Sequence, residues 1–316
     1  MRWFIALVSL AVASAASAFD LQGHRGARGL LPENTLPAFE RALALGVTTL
    51  ELDIAITRDG VLAIHHDRRL NPDIVRDAKG EWLRGEGPPI HSLTWAELQT
   101  YDVGRLRPGS NYARNYPDQQ PLDGTRIPRL SDLFDLVKRS GNERVRFAIE
   151  TKLHPERPDE TLAPEPFARA VVEEIRKAAM ERRSTILSFD WRTLQVVQKI
   201  APEIPTVYLS AQQRWLDNIA VERSEGSPWT AGFQYREHGS IPKMIKAAGG
   251  TYWSAYFGDL DAQKVKEAQS LGLKVLAWTV NDSATMARII DLGADGLITD
   301  RPDLARSVLE QRRIQW

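Results

Sequence analysis

Between Gly23 and Asp67 the chain gathers residues able to do acid, base and ligand chemistry: Gly23-His24-Arg25-Gly26, Pro32-Glu33-Asn34-Thr35, Glu51-Leu52-Asp53 and His65-His66-Asp67. Glu51 and Asp53 lie in the run Thr48 to Ile56, which reads as a strand. Residues two apart on a strand share a face, so both carboxylates point one way while Leu50, Leu52, Ile54 and Ile56 point the other. Glu150 and Lys152 repeat the pattern, with Phe147, Ile149 and Thr151 opposite. Carboxylates held side by side repel, and burying them unpaired is costly, so such a face usually holds a cation. Glu51, Asp53 and Glu150 together suit Mg²⁺ or Ca²⁺, which prefer oxygen ligands and leave positions for water or substrate oxygens. Zn²⁺ fits less well in a chain without cysteine, although His24 or His66 could join a site. The competing reading is a salt bridge, for which Lys152 is the candidate base.

Imidazole titrates close to neutral pH, so His24 and His66 beside a cation suggest general acid and base work. Asp67 can orient the His66 ring. Arg25, through its planar fork, and Lys152, as a point charge, can bind an anionic substrate oxygen. His65 points away from His66 on an extended segment and is assigned a structural role, while His91, His154 and His238 read as surface or loop residues. Phe189 and Trp278 each end a later strand-like run and can wall a pocket, with core packing as the alternative.

These residues need a scaffold, and the apolar periodicity describes one. Leu36, Phe39 and Leu43 have helical spacing, with Asn34 or Thr35 to cap, Pro37 in the first turn and Gly46 at the end. Asp59-Gly60 makes a tight turn before Val61 to Ile64, an extended piece that delivers His65, His66 and Asp67. From 68 to 129 periodicity is lost, apart from a helix over Thr94 to Gln99 with a Thr94/Glu97 capping box. Its interleaved aromatics argue against disorder, and the expectation is an inserted, lid-like segment packed over the site. Beyond it, strand-like runs near Val145–Thr151, Thr185–Ser188, Thr206–Leu209, Thr251–Ser254, Lys274–Val280 and Gly296–Thr299 each precede a helical pattern. With the first two strands these make about eight βα units, the number that closes a (β/α)₈ TIM barrel with a long insertion after the second strand unit. Val61–Ile64 and Ala231–Gln234 are additional extended candidates, and an open doubly wound sheet is the runner-up. Gly23-His24-Arg25-Gly26 is not the glycine-rich dinucleotide fingerprint such a sheet would favour. In a barrel, His24, Glu51, Asp53 and Glu150 all fall at or near strand C-terminal ends, where that architecture builds its active sites.

Over 316 residues, 41 Lys plus Arg balance 41 Asp plus Glu, so no global field favours nucleic acid or an anionic membrane. Arg2, an apolar run Trp3–Val12 and Ala16-Ser17-Ala18 form a signal-peptide pattern over residues 1–18, cleaved after Ala18. The expected mature product, 19–316, is a single catalytic domain without a stable membrane anchor, periplasmic or secreted. The absence of cysteine excludes a disulfide framework and a lipidated N-terminal cysteine.

The same residues resemble the glycerophosphodiester phosphodiesterase family: His24-Arg25-Gly26, Pro32–Thr35, Glu51-Leu52-Asp53, Thr57-Arg58-Asp59-Gly60, His66-Asp67, Glu150-Thr151-Lys152, Trp278–Asn281 and Asp295–Pro302, in order, from about Leu21 to Pro302. The resemblance implies a TIM barrel that hydrolyses deacylated phospholipids such as glycerophosphocholine to sn-glycerol 3-phosphate and an alcohol. It implies that Glu51, Asp53 and Glu150 bind one divalent cation, Ca²⁺ or Mg²⁺, that His24 and His66 are the acid/base pair, and that Arg25 and Lys152 contact phosphate. Arg68-Arg69-Leu70-Asn71-Pro72-Asp73 lacks the Arg-Thr-Thr run common in the family, a departure at the substrate-selecting edge. Two alternatives remain: a phospholipase D-like lyase of lysophospholipids or sphingomyelin, favoured by an apolar rim in Trp82–Tyr116, and a non-catalytic glycerophosphodiester-binding protein. A zinc or calcium hydrolase of unrelated substrates is more remote.

Overall fold

The computed structural model describes residues 18–316, so the processing expectation over 1–18 lies, but for Ala18, outside the described residues. In chain order the first half runs β1 (Asp20–Gly23), α1 (Leu36–Ala44), β2 (Thr49–Ile56), β3 (Leu62–Ile64), α2 (Trp95–Leu98), α3 (Asn111–Asn115), α4 (Leu130–Arg139), β4 (Arg146–Thr151) and α5 (Pro164–Lys177). The second half runs β5 (Ser184–Ser188), α6 (Trp191–Ile200), β6 (Thr206–Ser210), a small hairpin β7 (Gln212–Gln213) and β8 (Leu216–Asp217), α7 (Tyr235–His238), α8 (Ile241–Ala247) and β9 (Tyr252–Tyr256). It ends with α9 (Ala262–Ser270), β10 (Lys274–Trp278), α10 (Ser283–Asp291), β11 (Gly296–Thr299) and α11 (Pro302–Arg312).

Eight strands pair in parallel in the order β1-β11-β10-β9-β6-β5-β4-β2, and β1 returns to β2, with Gln22 opposite Thr49. The sheet is therefore a closed (β/α)₈ barrel, not the open runner-up. The outward residues of β2, Leu50, Leu52 and Ile54, are fully buried against the helical layer, each stabilising the fold by roughly 1.5–3 kcal/mol. Phe134 of α4 meets Phe147 of β4 edge to face, with ring centres 4.9 Å apart. Thr35 is the residue that caps α1, its hydroxyl accepting the Ala38 N–H at 3.4 Å.

Val61–Ile64 does form a strand, β3, antiparallel on the tip of β2 with Ile54 opposite Ile64. Ala231–Gln234 does not: Ala231 and Gly232 take φ of 54° and 90°, which an extended strand excludes. Segment 68–129 holds α2, with the Thr94/Glu97 capping box, and also α3, which the sequence reading lacks. Its Leu70, Ile74, Val75, Ile90, Leu98, Val103 and Ile127 form a satellite core with Ala55 and Ala63 of the β2–β3 hairpin. No large apolar side chain of Trp82–Tyr116 is exposed; the exposed ones among the described residues are Leu122 and Trp215. Among the described residues no helix is long and apolar enough to cross a membrane.

Candidate active site

The first strand ends in a turn that only glycine permits. A Cβ on Gly23 would lie 2.4 Å from the Gly26 carbonyl oxygen, and Gly26, at φ +85°, would place one 2.7 Å from the backbone of Ala38. The turn thus packs directly on α1 and holds His24 and Arg25 over the barrel mouth. Arg25 donates its backbone N–H to Glu51 at 2.9 Å, and its guanidinium donates to Glu33 at 2.7 Å and lies 3.3 Å from Asp53. Asn34, two residues before α1, donates to Asp53 Oδ2 at 2.9 Å. The Pro32–Thr35 motif is thereby resolved: Glu33 holds Arg25, Asn34 holds Asp53 and Thr35 starts the helix.

Register brings the acids together, since Asp53 of β2 stands opposite Glu150 of β4. Glu51, Asp53 and Glu150 are buried and offer one oxygen each within 4.8 Å of the others. Burial and the charges of Asp53 and Glu150 push Glu51 well above the usual carboxylate range. Burial and the Asp53 charge also push Glu150 up to about 7, although Lys152 donates to it at 2.6 Å. Burial opposes ionisation of Asp53 too, but His66, Lys152, Arg25 and the Asn34 hydrogen bond hold it well below that range. Asp53 Oδ1 is buried with no hydrogen-bond donor; the Lys152 ammonium stands 3.5 Å away. Lys152 therefore does sit on the cluster, as the salt-bridge reading held, without neutralising it. An all-oxygen donor set with an orphaned buried oxygen and mutually destabilised carboxylates fits a divalent cation such as Mg²⁺ or Ca²⁺.

Barrel closure places the last strand beside the first. His24 Nδ1 bonds Asp300 at 2.7 Å, and its Nε2 lies 3.9 Å from Glu51. Asp300 also accepts both arms of the Arg28 fork, at 2.7 and 2.9 Å, and the Asn281 amide at 2.7 Å. These partners hold Asp300 well below the usual range despite burial, so an ionised carboxylate accepts the Nδ1–H hydrogen bond, keeping the ring proton on Nδ1 and leaving the Nε2 lone pair free. Burial, with repulsion from Arg28, lowers His24 to about 4, so it is neutral at pH 7. His66 is built alike: Nδ1 bonds Asp67 at 2.8 Å, Asp67 in turn accepts from Asn71 at 2.8 Å, and burial with Arg25 and Lys152 lowers the imidazole. His65 turns inward to the Asp67 carbonyl at 2.9 Å.

His24, Arg25, Glu51, His66, Glu150 and Lys152 share one cavity of about 400 Å³ at the C-terminal mouth of the barrel, and Phe189 and Trp278 wall it. Below them Ala148, Leu187, Val207, Leu209 and Leu276 fill the barrel interior. His154, expected as a surface or loop residue, lines the same cavity with its ring 4.5 Å from Trp229. The signal was available, because Glu150, Lys152 and His154 continue one alternation. Asp300 and Arg28 also escaped the sequence reading of individual roles, although Asp300 directly follows β11, the position rule that picked out the others. Tyr112 of segment 68–129 donates to Glu33, and Tyr116 stacks on Arg28 at 4.6 Å.

Fold and site define the class: a (β/α)₈ enzyme whose mouth carries a buried acidic cluster flanked by two carboxylate-oriented imidazoles. Residues 24–304 match the Glycerophosphoryl diester phosphodiesterase family. A glycerophosphodiester phosphodiesterase of Caldanaerobacter subterraneus subsp. tengcongensis is 26% identical over 284 residues, 89% of this chain and 93% of that one. A solved structure from Silicibacter pomeroyi, of a candidate glycerophosphoryl diester phosphodiesterase, superposes with a TM-score of 0.84 at 36% identity, covering 95% of this chain and 96% of that one. An Oleispira antarctica phosphodiesterase, solved in complex with the product sn-glycerol-3-phosphate, shares the fold with a TM-score of 0.65 at 23% identity, covering 93% and 97% of the two chains. The chain belongs to the glycerophosphoryl diester phosphodiesterase family and is a phosphoric diester hydrolase.

Proposed function

We propose that the chain hydrolyses glycerophosphodiesters such as glycerophosphocholine to sn-glycerol 3-phosphate and an alcohol, using one divalent cation at Glu51, Asp53 and Glu150 and proton transfer by His24 and His66. The observation that carries this reading is one cavity lined by Glu51, Glu150 and two imidazoles whose Nδ1 atoms are both committed to carboxylates, with Asp53 buried within ligand distance of the same two acids. The product held by the Oleispira relative supports the glycerol phosphate half of the substrate.

A bound cation supplies positive charge to phosphate oxygens as their charge rises in the transition state. Arg25, fixed from both sides by Glu33 and Asp53, adds a guanidinium, and Lys152 adds an ammonium. His24 is the deeper imidazole, 12% exposed, and stays neutral with its free Nε2 beside Glu51. It takes the proton of the attacking hydroxyl, either the glycerol 2-hydroxyl or water. His66, at 30% exposure, is the more open; it takes up a proton from solvent at Nε2, with Asp67 accepting the Nδ1–H of the resulting imidazolium, and gives that proton to the leaving alkoxide. Export to the periplasm or medium, supported by the Arg2–Ala18 pattern, would place the enzyme where deacylated lipids arrive from outside.

The test is release of sn-glycerol 3-phosphate from glycerophosphocholine by the purified chain, before and after EDTA and after return of Ca²⁺ or Mg²⁺. Turnover that a chelator abolishes and a cation restores is expected; turnover indifferent to EDTA would overturn the metal reading. A transient cyclic glycerol phosphate would assign the attack to the 2-hydroxyl, and its absence under single-turnover conditions would assign it to water.

A further inference from the structure

Beside the acidic cluster two buried side chains each carry a polar atom that no protein group answers, Asn34 Oδ1 and His65 Nε2. What each atom can do is fixed from the other end of its side chain. Asn34 donates its NH₂ to the Asp53 carboxylate at 2.9 Å, which turns the amide oxygen away. His65 Nδ1 bonds the Asp67 backbone carbonyl at 2.9 Å. A carbonyl only accepts, so Nδ1 carries the ring proton and Nε2 presents a lone pair. Both atoms are therefore acceptors, and neither can satisfy the other.

They nevertheless share a place. Asn34 and His65 line one void of about 10 Å³ between the turn before α1, the end of β3 and segment 68–129. Glu33 lines it too, but its oxygens already accept from Arg25 and Tyr112. Ile74, Val103 and Ile127 of the satellite core add only apolar surface. One buried water needs roughly 10–15 Å³ and at least two polar partners. The void stands at the lower edge of that volume and supplies the two partners. A molecule with two O–H donors is what a pair of acceptors requires.

We propose that this void is a site for a single water, donating one proton to His65 Nε2 and one to Asn34 Oδ1, and that His65 is thereby a positioning residue for the cation ligand Asp53. Asn34 holds Asp53 Oδ2 and leaves Oδ1, the oxygen without a donor, for the cation. His65 also reaches Asp53 by a second route, since its backbone N–H donates to the Asp53 carbonyl at 3.0 Å. One histidine thus ties the backbone of the ligand directly and its carboxylate through water and amide. The apolar cover from segment 68–129 keeps bulk solvent from replacing a lost partner. This rests on the cation reading of Glu51, Asp53 and Glu150 and deepens it.

The test has two arms. A crystal structure of the purified chain at about 1.5 Å or better is expected to show one water about 2.7–3.0 Å from both His65 Nε2 and Asn34 Oδ1. An empty void, or direct contact between the two atoms, would overturn the site. Calorimetric titration of Ca²⁺ and Mg²⁺ into the substrate-free protein then compares wild type, His65→Leu, His65→Gln, Asn34→Gly and the His65→Leu/Asn34→Gly double variant. Loss of the acceptor at residue 65 should weaken cation binding about tenfold, the lower edge of the effect of groups that orient metal ligands, and Gln, with an amide where Nε2 stood, should restore most of it. Glycine at 34 accepts the φ of 55° while removing the amide, so adding His65→Leu to it should weaken binding no further. Losses that multiply in the double variant, or a His65→Leu affinity within about twofold of wild type, would overturn the positioning role. A wild type that binds neither ion would sink the cation reading, and the positioning role with it, while the electron density still decides the water.

Discussion

Replacing Asp300 by Asn changes one oxygen for an amide nitrogen at a point where four donors meet. His24 Nδ1 and Arg28 Nε share Oδ1 at 2.7 Å each, while Arg28 Nη2 and Asn281 Nδ2 reach Oδ2 at 2.9 and 2.7 Å. An Asn with its oxygen toward His24 sets its NH₂ against two donors. The flipped rotamer donates to His24 Nδ1 instead, moving the ring proton to Nε2 and removing the lone pair that faces Glu51. Both leave the buried Arg28 charge without its partner, at a cost of about 3–5 kcal/mol. The expected result is a melting temperature lower by roughly 5–10 °C. In addition kcat for release of sn-glycerol 3-phosphate is expected to fall by about 10²–10⁴, the range for losing a general base. Arg28→Gln, which leaves the His24–Asp300 bond, should match the stability loss with a much smaller fall in kcat. A folded Asp300→Asn enzyme with kcat within about threefold of wild type, a margin worth under 1 kcal/mol, would refute the reasoning that Asp300 fixes the working tautomer of His24.

The remaining expectations concern the cation, the phosphate and the turn. Because Glu150 stands at about 7 in the cation-free site, it holds a proton below that pH that a cation must displace. Apparent Ca²⁺ or Mg²⁺ affinity should therefore rise with pH through this range, by up to tenfold per pH unit for each proton displaced, Glu51 being raised as well, with protons released; calorimetry in two buffers of different ionisation enthalpy checks this, and a pH-independent affinity would contradict it. Tyr112→Phe removes the hydroxyl that bonds Glu33 and approaches Arg25 at 3.3 Å, a charged hydrogen bond worth about 1.5–3 kcal/mol. We expect KM to rise about tenfold or more with kcat nearly held, measured by steady-state kinetics. Gly26→Ala combines φ +85° with a Cβ 2.7 Å from Ala38, so denaturant unfolding should show a loss of at least about 1–2 kcal/mol.

The alternation of Glu51, Asp53, Glu150 and Lys152 on apolar strands was legible because period two survives in sequence whatever the neighbours are. The barrel was legible from the regular recurrence of βα units, with strand ends displaced by a residue or two. What the pattern could not supply was proximity across the closure: His24 and Asp300 are 276 positions apart and meet only because β11 pairs with β1. Arg28 and Trp215 lie in turns and Tyr112 in the five-residue helix α3, too short to show a period, so nothing local announces which way they point. His154 was a different case, since it continues the alternation of Glu150 and Lys152 three residues beyond the end of β4. Ala231–Gln234 misled in the opposite sense: its apolar residues resemble a short strand, and the positive φ at Ala231 is invisible in composition.

The division of proton work between His24 and His66 is tested most directly by changing the leaving group. Single-turnover rates would be compared for a glycerophosphodiester of choline and one of p-nitrophenol, whose anion leaves without protonation, in wild type, His24→Ala and His66→Ala. The account predicts that both variants lose about 10²-fold or more on the alkyl diester, and that only His66→Ala recovers on the nitrophenyl diester. Recovery of His24→Ala instead, or a wild-type rate in either variant on the alkyl diester, would contradict it.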